Sequence, residues 1–328
     1  VPFGADPMAY YYSLPALEDQ GINIISVAEE DLNGTGTYAK VQPHGYAEYK
    51  ESPFEGAVSS TNLAGDTVYK VFNNRIPMNW EEFRYLSKMF TRSSAYNPDS
   101  PTTYGSGTHW WFAYAWSVGG DCIGWNGENY DFSVADEGAN YLVLSETLEL
   151  NDKTYYAGDI VSYQDRAAAA EAPAGSVHEL PSTYDALYEF VRLSSPVGGN
   201  GGRGENGYGI GLFSNDNAAG SLVNGEIALL ASSESAITSL ETSYRGKYDI
   251  APAQQWREYE GGSVYYDGEE TFENEYLKVI GETYDDGVYT GELAVDEETG
   301  TELVGRNSAF AGFTSLVIPA RSDASLKD

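Results

Sequence analysis

Residues 76–90 read Ile76-Pro77-Met78-Asn79-Trp80-Glu81-Glu82-Phe83-Arg84-Tyr85-Leu86-Ser87-Lys88-Met89-Phe90, and they carry the clearest local instruction in the chain. Asn79 is placed to accept a hydrogen bond from the free amides of a helix start. Glu82 stands three residues on as its capping-box partner, and both Glu81 and Glu82 favour the positive end of the helix dipole. Trp80, Phe83, Leu86 and Phe90 then fall on one face. A second start lies at Ser182 with Asp185 three residues on, followed by Tyr184, Leu187, Tyr188 and Val191 at helical spacing. Two one-sided helices need an apolar sheet to pack against, so the expected class is α/β.

Upstream, Val1-Pro2-Phe3-Gly4 and the run Tyr10-Tyr11-Tyr12 read as a turn entering a buried strand, followed by a short helix through Leu17 that Gly21 ends. Ile22 to Val27 is the next expected strand. From Glu29 to about Tyr69 no period is sustained, and a long surface insertion is expected. Downstream, Tyr141 to Tyr163 alternates around Asn151-Asp152, the signature of a β-hairpin, and Ser263 to Val304 repeats the style with turns at Asp285-Asp286-Gly287 and Glu298-Thr299-Gly300. Pro196 to Gly209 reads as a flexible loop.

Composition narrows the partners. The 328 residues carry 50 Asp+Glu against 18 Lys+Arg, a formal net charge of −32. Phosphate backbones and anionic lipid surfaces need a basic patch, so nucleic acid and membrane surfaces are poor partners, whereas an uncharged ligand is indifferent to the long-range field. The hydrophobic fraction of 41% is that of a globular chain, and no apolar run of membrane-spanning length occurs. The single cysteine, Cys122, excludes an internal disulfide framework. Aromatics make up 14% of the chain, led by 27 tyrosines, which suits sugars, peptides and ordinary cores alike.

Familiar chemical motifs fail on context. Gly199-Asn200-Gly201-Gly202-Arg203-Gly204 matches a dinucleotide pattern, but no apolar strand precedes it and no apolar helix follows. His44, His109 and His178 lack the spacing of a zinc site, and the acidic turn Asp296-Glu297-Glu298-Thr299-Gly300 lacks the ligand alternation of a calcium loop. Glu226 and Glu234 are the acids a glycoside-cleaving pair would draw on. The densest candidate is Gly105 to Asp121, read as a small-residue turn entering an aromatic helix that ends at Gly119-Gly120. Trp111 and Tyr114 share a core face. His109 and Trp110 fall at the helix start, where an aromatic plate can stack on a ligand beside free amides.

Taken in order, several pieces resemble extracellular solute-binding proteins of carbohydrate ABC transporters, the maltose-binding-like group. Val1 to Tyr12 resembles the hinge-crossing strand, with Ser13 in place of the usual Asn. Pro77 to Phe83 is similar to the family's Pro-x-Thr-Trp-[Asp/Glu]-Glu-Phe box, with Asn79 for Thr, and Trp111 to Asp121 resembles its helix ending in Gly-Gly-Asp. Asn224-Gly225-Glu226-Ile227-Ala228-Leu229 resembles the Gly-x-x-Ala turn and strand. Tyr248-Asp249-Ile250-Ala251-Pro252 resembles the second crossing strand, and Gly312-Phe313-Thr314-Ser315-Leu316-Val317-Ile318-Pro319 the strand re-entering the first lobe.

The resemblance implies a two-lobe, type II periplasmic-binding-protein fold. Residues 1–12 would be the hinge-crossing strand and 13–247 lobe two, with insertions near 29–69 and 141–163. Residues 248–328 would return to a first lobe that is only partly present, with a β insertion at 263–304. It implies a non-enzymatic, monomeric receptor without cofactor or metal, extracellular as a surface-tethered lipoprotein or periplasmic. Such a receptor captures an oligosaccharide and delivers it to a transporter permease. The implied ligand residues are His109, Trp110 and Trp111; Ser233, Glu234 and Ser235, where Glu234 and Ser235 fall near an aromatic position of the family and a hydrogen bond from Ser233 or Glu234 is expected in its place; Trp256; Asp6, Arg306 and Asn307 near the hinge; and Gly312 and Phe313. A glycan-active enzyme and a glycan adhesion module remain the alternatives.

Overall fold

The computed structural model describes residues 2–32, 34–107, 111, 114, 124–125, 130–131, 141–144, 146–156, 159, 161, 165–180, 183–199, 201, 206–213, 218–254, 259–260, 275–276, 282–285, 288–295, 302–303 and 311–315. The first half of the chain supplies β1 (Pro2–Ser13), α1 (Leu14–Asp19), β2 (Ile22–Ile25), β3 (Tyr46–Tyr49), β4 (Ser60–Thr61), β5 (Thr67–Asn73), α2 (Trp80–Met89), β6 (Tyr104–Gly107) and β7 (Tyr141–Leu144). There follow β8 (Leu148–Leu150), β9 (Lys153–Tyr155), α3 (Arg166–Ala169), β10 (Val177–Leu180), α4 (Thr183–Ser194), β11 (Gly211–Leu212), α5 (Ala218–Val223), β12 (Ile227–Ser233), α6 (Ala236–Ser243) and β13 (Tyr248–Ala251). The last labelled strands are β14 (Glu282–Asp285), β15 (Val288–Val295) and β16 (Ala311–Ser315). The architecture is mixed α/β with several sheets, and no helix among the described residues is long and apolar enough to cross a membrane.

The central sheet has the order β11-β6-β12-β1-β13. β6, β11 and β12 are parallel, and β1 runs antiparallel to both β12 and β13. Successive side chains on a strand point to opposite faces, and the tyrosine run obeys this. Tyr10 and Tyr12 join the core under α1, α2 and α4, while Tyr11 joins the one under α5 and α6. Tyr10 stacks on Phe83 of α2 at 5.0 Å, and Tyr12 meets Phe72 edge-on at 5.0 Å. The sheet is therefore covered by helices on both faces.

α2 forms as its sequence dictates. The Asn79 side chain accepts from the Glu82 amide at 2.8 Å, and Glu82 Oε2 accepts from the Asn79 amide at 3.0 Å. Trp80, Phe83, Leu86 and Phe90 are all buried. Glu82 Oε1 also lies 2.6 Å from His44 Nδ1, so the capping carboxylate anchors the preceding loop as well. Asn79→Ala is expected to lower stability by about 1 kcal/mol, the usual loss on removing a side-chain cap. Chemical denaturation followed by helical circular dichroism measures it.

α4 forms where expected but turns a different face inward. Ala186, Phe190 and Leu193 are buried, whereas Val191 of the anticipated stripe is 41% exposed. The helix carries two apolar stripes. Phe190 wins the core because it fills the space between Tyr114, at 5.9 Å, and Phe213, at 4.4 Å. Gly105-Ser106-Gly107, read as a turn, is strand β6, and its first glycine lets α2 approach the sheet closely. A Cβ at Gly105 would meet the Ser87 carbonyl oxygen at 1.9 Å.

Residues 29–69, expected as a loop insertion, contain β3 and β4 and complete a second sheet of order β2-β5-β3. That sheet has its own core of Ile25, Leu32, Val41, Val71 and Ile76. Within it Glu48 and Lys70 face each other across the β3–β5 ladder, both fully buried. Glu48 accepts from the Tyr46 hydroxyl at 2.8 Å and from Asn62 Nδ2 at 3.0 Å, and Lys70 donates to the Gln20 carbonyl at 2.8 Å. Burial raises the Glu48 carboxyl above its ordinary range and lowers the Lys70 ammonium to about 8.

The Asn151-Asp152 turn closes β8 onto β9 with both residues at positive φ, 50° and 63°, the geometry that a two-residue hairpin demands. Its neighbour β7 pairs instead with β10. β14 pairs with β15 on either side of the expected 285–287 turn.

Candidate functional site

The parallel strands end along one edge. Leu212 of β11, Gly107 of β6, Leu230 of β12 and Tyr11 of β1 lie in register, and β12 continues three residues further to Ser233 opposite Met8. The chain passes from β6 to β11 on one side and then to β12 on the other. A reversal of this kind opens a crevice at the carboxyl ends of the strands, and there open α/β sheets bind their ligands. β1 leaves the sheet at this same edge. Its inner half pairs with β12 and β13, and its outer half pairs with β16, placing the Asp6 backbone opposite Gly312 and Ala5 opposite Phe313.

Ser233, Glu234 and Ser235 sit on the rim between β12 and α6. Ser233 Oγ is 2.7 Å from Ser235 Oγ, and the Ser233 carbonyl accepts from the Tyr11 hydroxyl at 2.9 Å. Ser235 holds the N-cap position of α6 without bonding the helix amides through its side chain. Two polar hydroxyls thus stand at the edge beside a helix start. Glu234 is exposed there.

Trp111 is half-buried against the core beneath α2, and Tyr114 is fully buried, its hydroxyl raised well above the ordinary tyrosine range by burial. His109, Trp110, Trp256, Arg306 and Asn307 lie outside the described residues, as do Cys122, most of Gly199–Gly204, and the acidic turn Asp296–Gly300. Gly107, the last residue of β6, precedes His109 by two positions in sequence.

Two edge residues escaped the sequence reading. Phe213, next after β11, lies half-buried and flat against Phe190 with an interplanar angle of 5°; through Tyr114 the contacts reach Trp80 at 5.3 Å. Gln254, three residues past β13, is 2% exposed and its Oε1 has no hydrogen-bond partner among the described residues. The signal for Phe213 was an aromatic directly after a short Gly-Leu strand; a lone glutamine gives none.

Glu226 and Glu234 flank the two ends of β12, a seven-residue strand. At a strand rise of about 3.3 Å per residue they stand more than about 20 Å apart. The carboxyl groups of a glycosidase pair lie within about 10 Å of each other. The described residues include no group of three or more His, Cys, Asp or Glu arranged to hold a metal ion. What the edge offers chemically is hydroxyls, backbone amides and an aromatic stack, the set that recognises neutral polar ligands. No protein-family model matches the chain, and no curated protein proves similar to it.

Proposed function

We propose that the chain is part of a two-lobe, type II solute-binding receptor that captures an oligosaccharide and presents it to a membrane transporter. The observation that carries this reading is the double pairing of β1, which leaves the central sheet at the candidate ligand edge and continues into a ladder with β16. A strand shared in this way gives a hinge beside the crevice, and closure about it would be driven by ligand contacts on both sides. Ser233, Ser235 and Phe213 provide hydroxyl and aromatic contacts on the sheet side. The acidic surface favours an uncharged sugar over an anionic one. Extracellular or periplasmic placement belongs to the same proposal.

Isothermal titration of the chain against a panel of neutral oligosaccharides tests it. One sugar is expected to bind at a single site, and Ser233→Trp, which crowds the rim, is expected to weaken it about tenfold or more, about 1.4 kcal/mol. Silence across the panel with binding to peptides would remove the sugar assignment. Release of shortened sugars, seen by chromatography, would replace the receptor with an enzyme.

A further inference from the structure

We propose that the open edge of β2 is a docking site for an extended segment of a partner protein, one that carries a basic residue among apolar ones and adds to the second sheet as a further strand. A groove of about 610 Å³ lies there between α1 and β2. Leu14, Pro15 and Glu18 of α1 line one side, and Ile22, Asn23 and Ile24 of β2 line the other. Successive side chains on a strand point to opposite faces, so a groove lined by three residues in a row follows the edge of the strand rather than one of its faces. Among the described residues β2 pairs with β5 and with no second strand. The N–H and C=O groups of its outer side are then a template for an incoming strand.

The edge lacks the usual protection. Natural edge strands are blunted by lysine, proline or a bulge, whereas β2 reads Ile22-Asn23-Ile24-Ile25 and keeps an unbroken register with β5. Its neighbour in the groove is Val58, 62% exposed, the most exposed of the large apolar side chains. The Asn23 side chain pins that wall in place: its Nδ2 donates to the Val58 carbonyl at 2.8 Å and its Oδ1 accepts from the Val58 amide at 2.7 Å. A fixed wall carrying an exposed valine, facing half-buried Leu14 and Ile24, gives an incoming strand apolar contacts for its side chains. Main-chain bonds to the edge and side-chain contacts to the walls are the two parts of recognition by strand addition.

The charge of the partner follows from the lining. Glu18 is its charged residue, and among the described residues no base stands at ion-pair distance from that carboxylate. The two bases of the adjoining turn are engaged elsewhere, Arg245 with Glu241 at 3.5 Å and Lys247 over the Tyr244 ring at 5.9 Å. A basic residue of the incoming strand pairs with Glu18, and the net charge of −32 speeds its encounter. The groove also lies away from the candidate ligand edge. Leu14 follows the inner end of β1 and its amide donates to the Lys247 carbonyl at 3.0 Å, whereas Met8, at the ligand edge, is six residues back, about 20 Å along the strand. A partner bound here leaves the crevice open, so the inference stands independently of the carbohydrate reading.

Fluorescence anisotropy with a short labelled peptide, one lysine among valines and threonines, tests it on the whole chain. The peptide is expected to bind, and the same peptide N-methylated at alternate residues, with its charge and side chains kept, is expected not to. Glu18→Lys should weaken binding about fivefold or more and Val58→Ser about threefold, with circular dichroism unchanged. If the charge reversal fails to fold, Glu18→Gln removes the charge alone and should still weaken binding. Absence of binding to the wild type, equal binding of the N-methylated peptide, equal binding of a peptide with glutamate in place of the lysine, or indifference to these substitutions would each overturn the proposal. So would sedimentation showing a wild-type dimer that Val58→Ser dissociates, since the edge would then serve a second copy of the chain.

Discussion

Lys70→Ala is expected to destabilise the chain by about 3 kcal/mol, because it removes a fully buried stem, leaves the Gln20 carbonyl without its donor and takes away the cation whose charge acts on the Glu48 carboxyl across the ladder. Glu48 is 0% and Lys70 1% exposed, so water cannot take over the lost interaction. The double variant Glu48→Gln, Lys70→Met should fall much closer to wild type, since neutral residues of similar volume commonly replace buried charges without loss. Denaturant titration of the three proteins, followed by far-ultraviolet circular dichroism, gives the comparison; equal losses in the single and double variants would show that packing rather than charge sets the cost. The pH dependence has a definite sign. The folded pKa of Lys70 is about 8, below its unfolded value of 10.5. Between these values the unfolded chain binds the extra proton, so this residue's contribution rises with pH there and is lost as pH falls through about 8. The stability difference between wild type and Lys70→Met should therefore move in favour of the wild type across that window.

This same pair explains why the second sheet was hidden in the sequence. β5 reads Thr67-Val68-Tyr69-Lys70-Val71-Phe72-Asn73, with Lys70 to Asn73 all buried, and its partner β3 carries Glu48 at a buried position. A strand covered on both faces has no alternation to detect, and an inward charge reads as an outward one until its partner is known. The pairing of β2 with β5 in parallel also joins segments about 45 residues apart, a relation no local window contains. Short-range signals fared better. The capping box at Asn79 and Glu82 and the positive-φ turn at Asn151-Asp152 are each decided within four residues, and both stand as read. α4 shows the boundary between the two cases: helical spacing locates the helix, but which of its two apolar stripes is buried depends on Tyr114 and Phe213. At the candidate site, Ser233 to Ser235 could be placed because they follow a recognisable strand. Phe213 follows a strand of two residues, too short to announce itself.

Gly105→Ala is expected to cost about 3 kcal/mol or more, the upper range for forcing atoms into a packed interior, and Gly105→Val to prevent folding altogether. The added Cβ would lie 1.9 Å from the Ser87 carbonyl oxygen and 2.5 Å from its Cα and carbonyl carbon, all of them backbone. No rotamer change relieves such a contact, so α2 must lift from β6 or the strand must bend. Ser87→Ala separates this cause from side-chain crowding. Its buried hydroxyl has no hydrogen-bond partner among the described residues, so its removal alone should cost little. If the obstruction is the helix backbone, Ser87→Ala will not rescue Gly105→Ala, and the two effects will add in thermal unfolding. Lifting α2 also displaces Trp80 from Tyr114, now 5.3 Å apart, and through Phe190 loosens Phe213 at the sheet edge. Any Gly105→Ala protein that still folds should therefore bind the proposed oligosaccharide ligand more weakly than wild type, measured by titration below the melting transition. Wild-type affinity in such a folded variant would separate the α2 aromatic chain from the ligand edge.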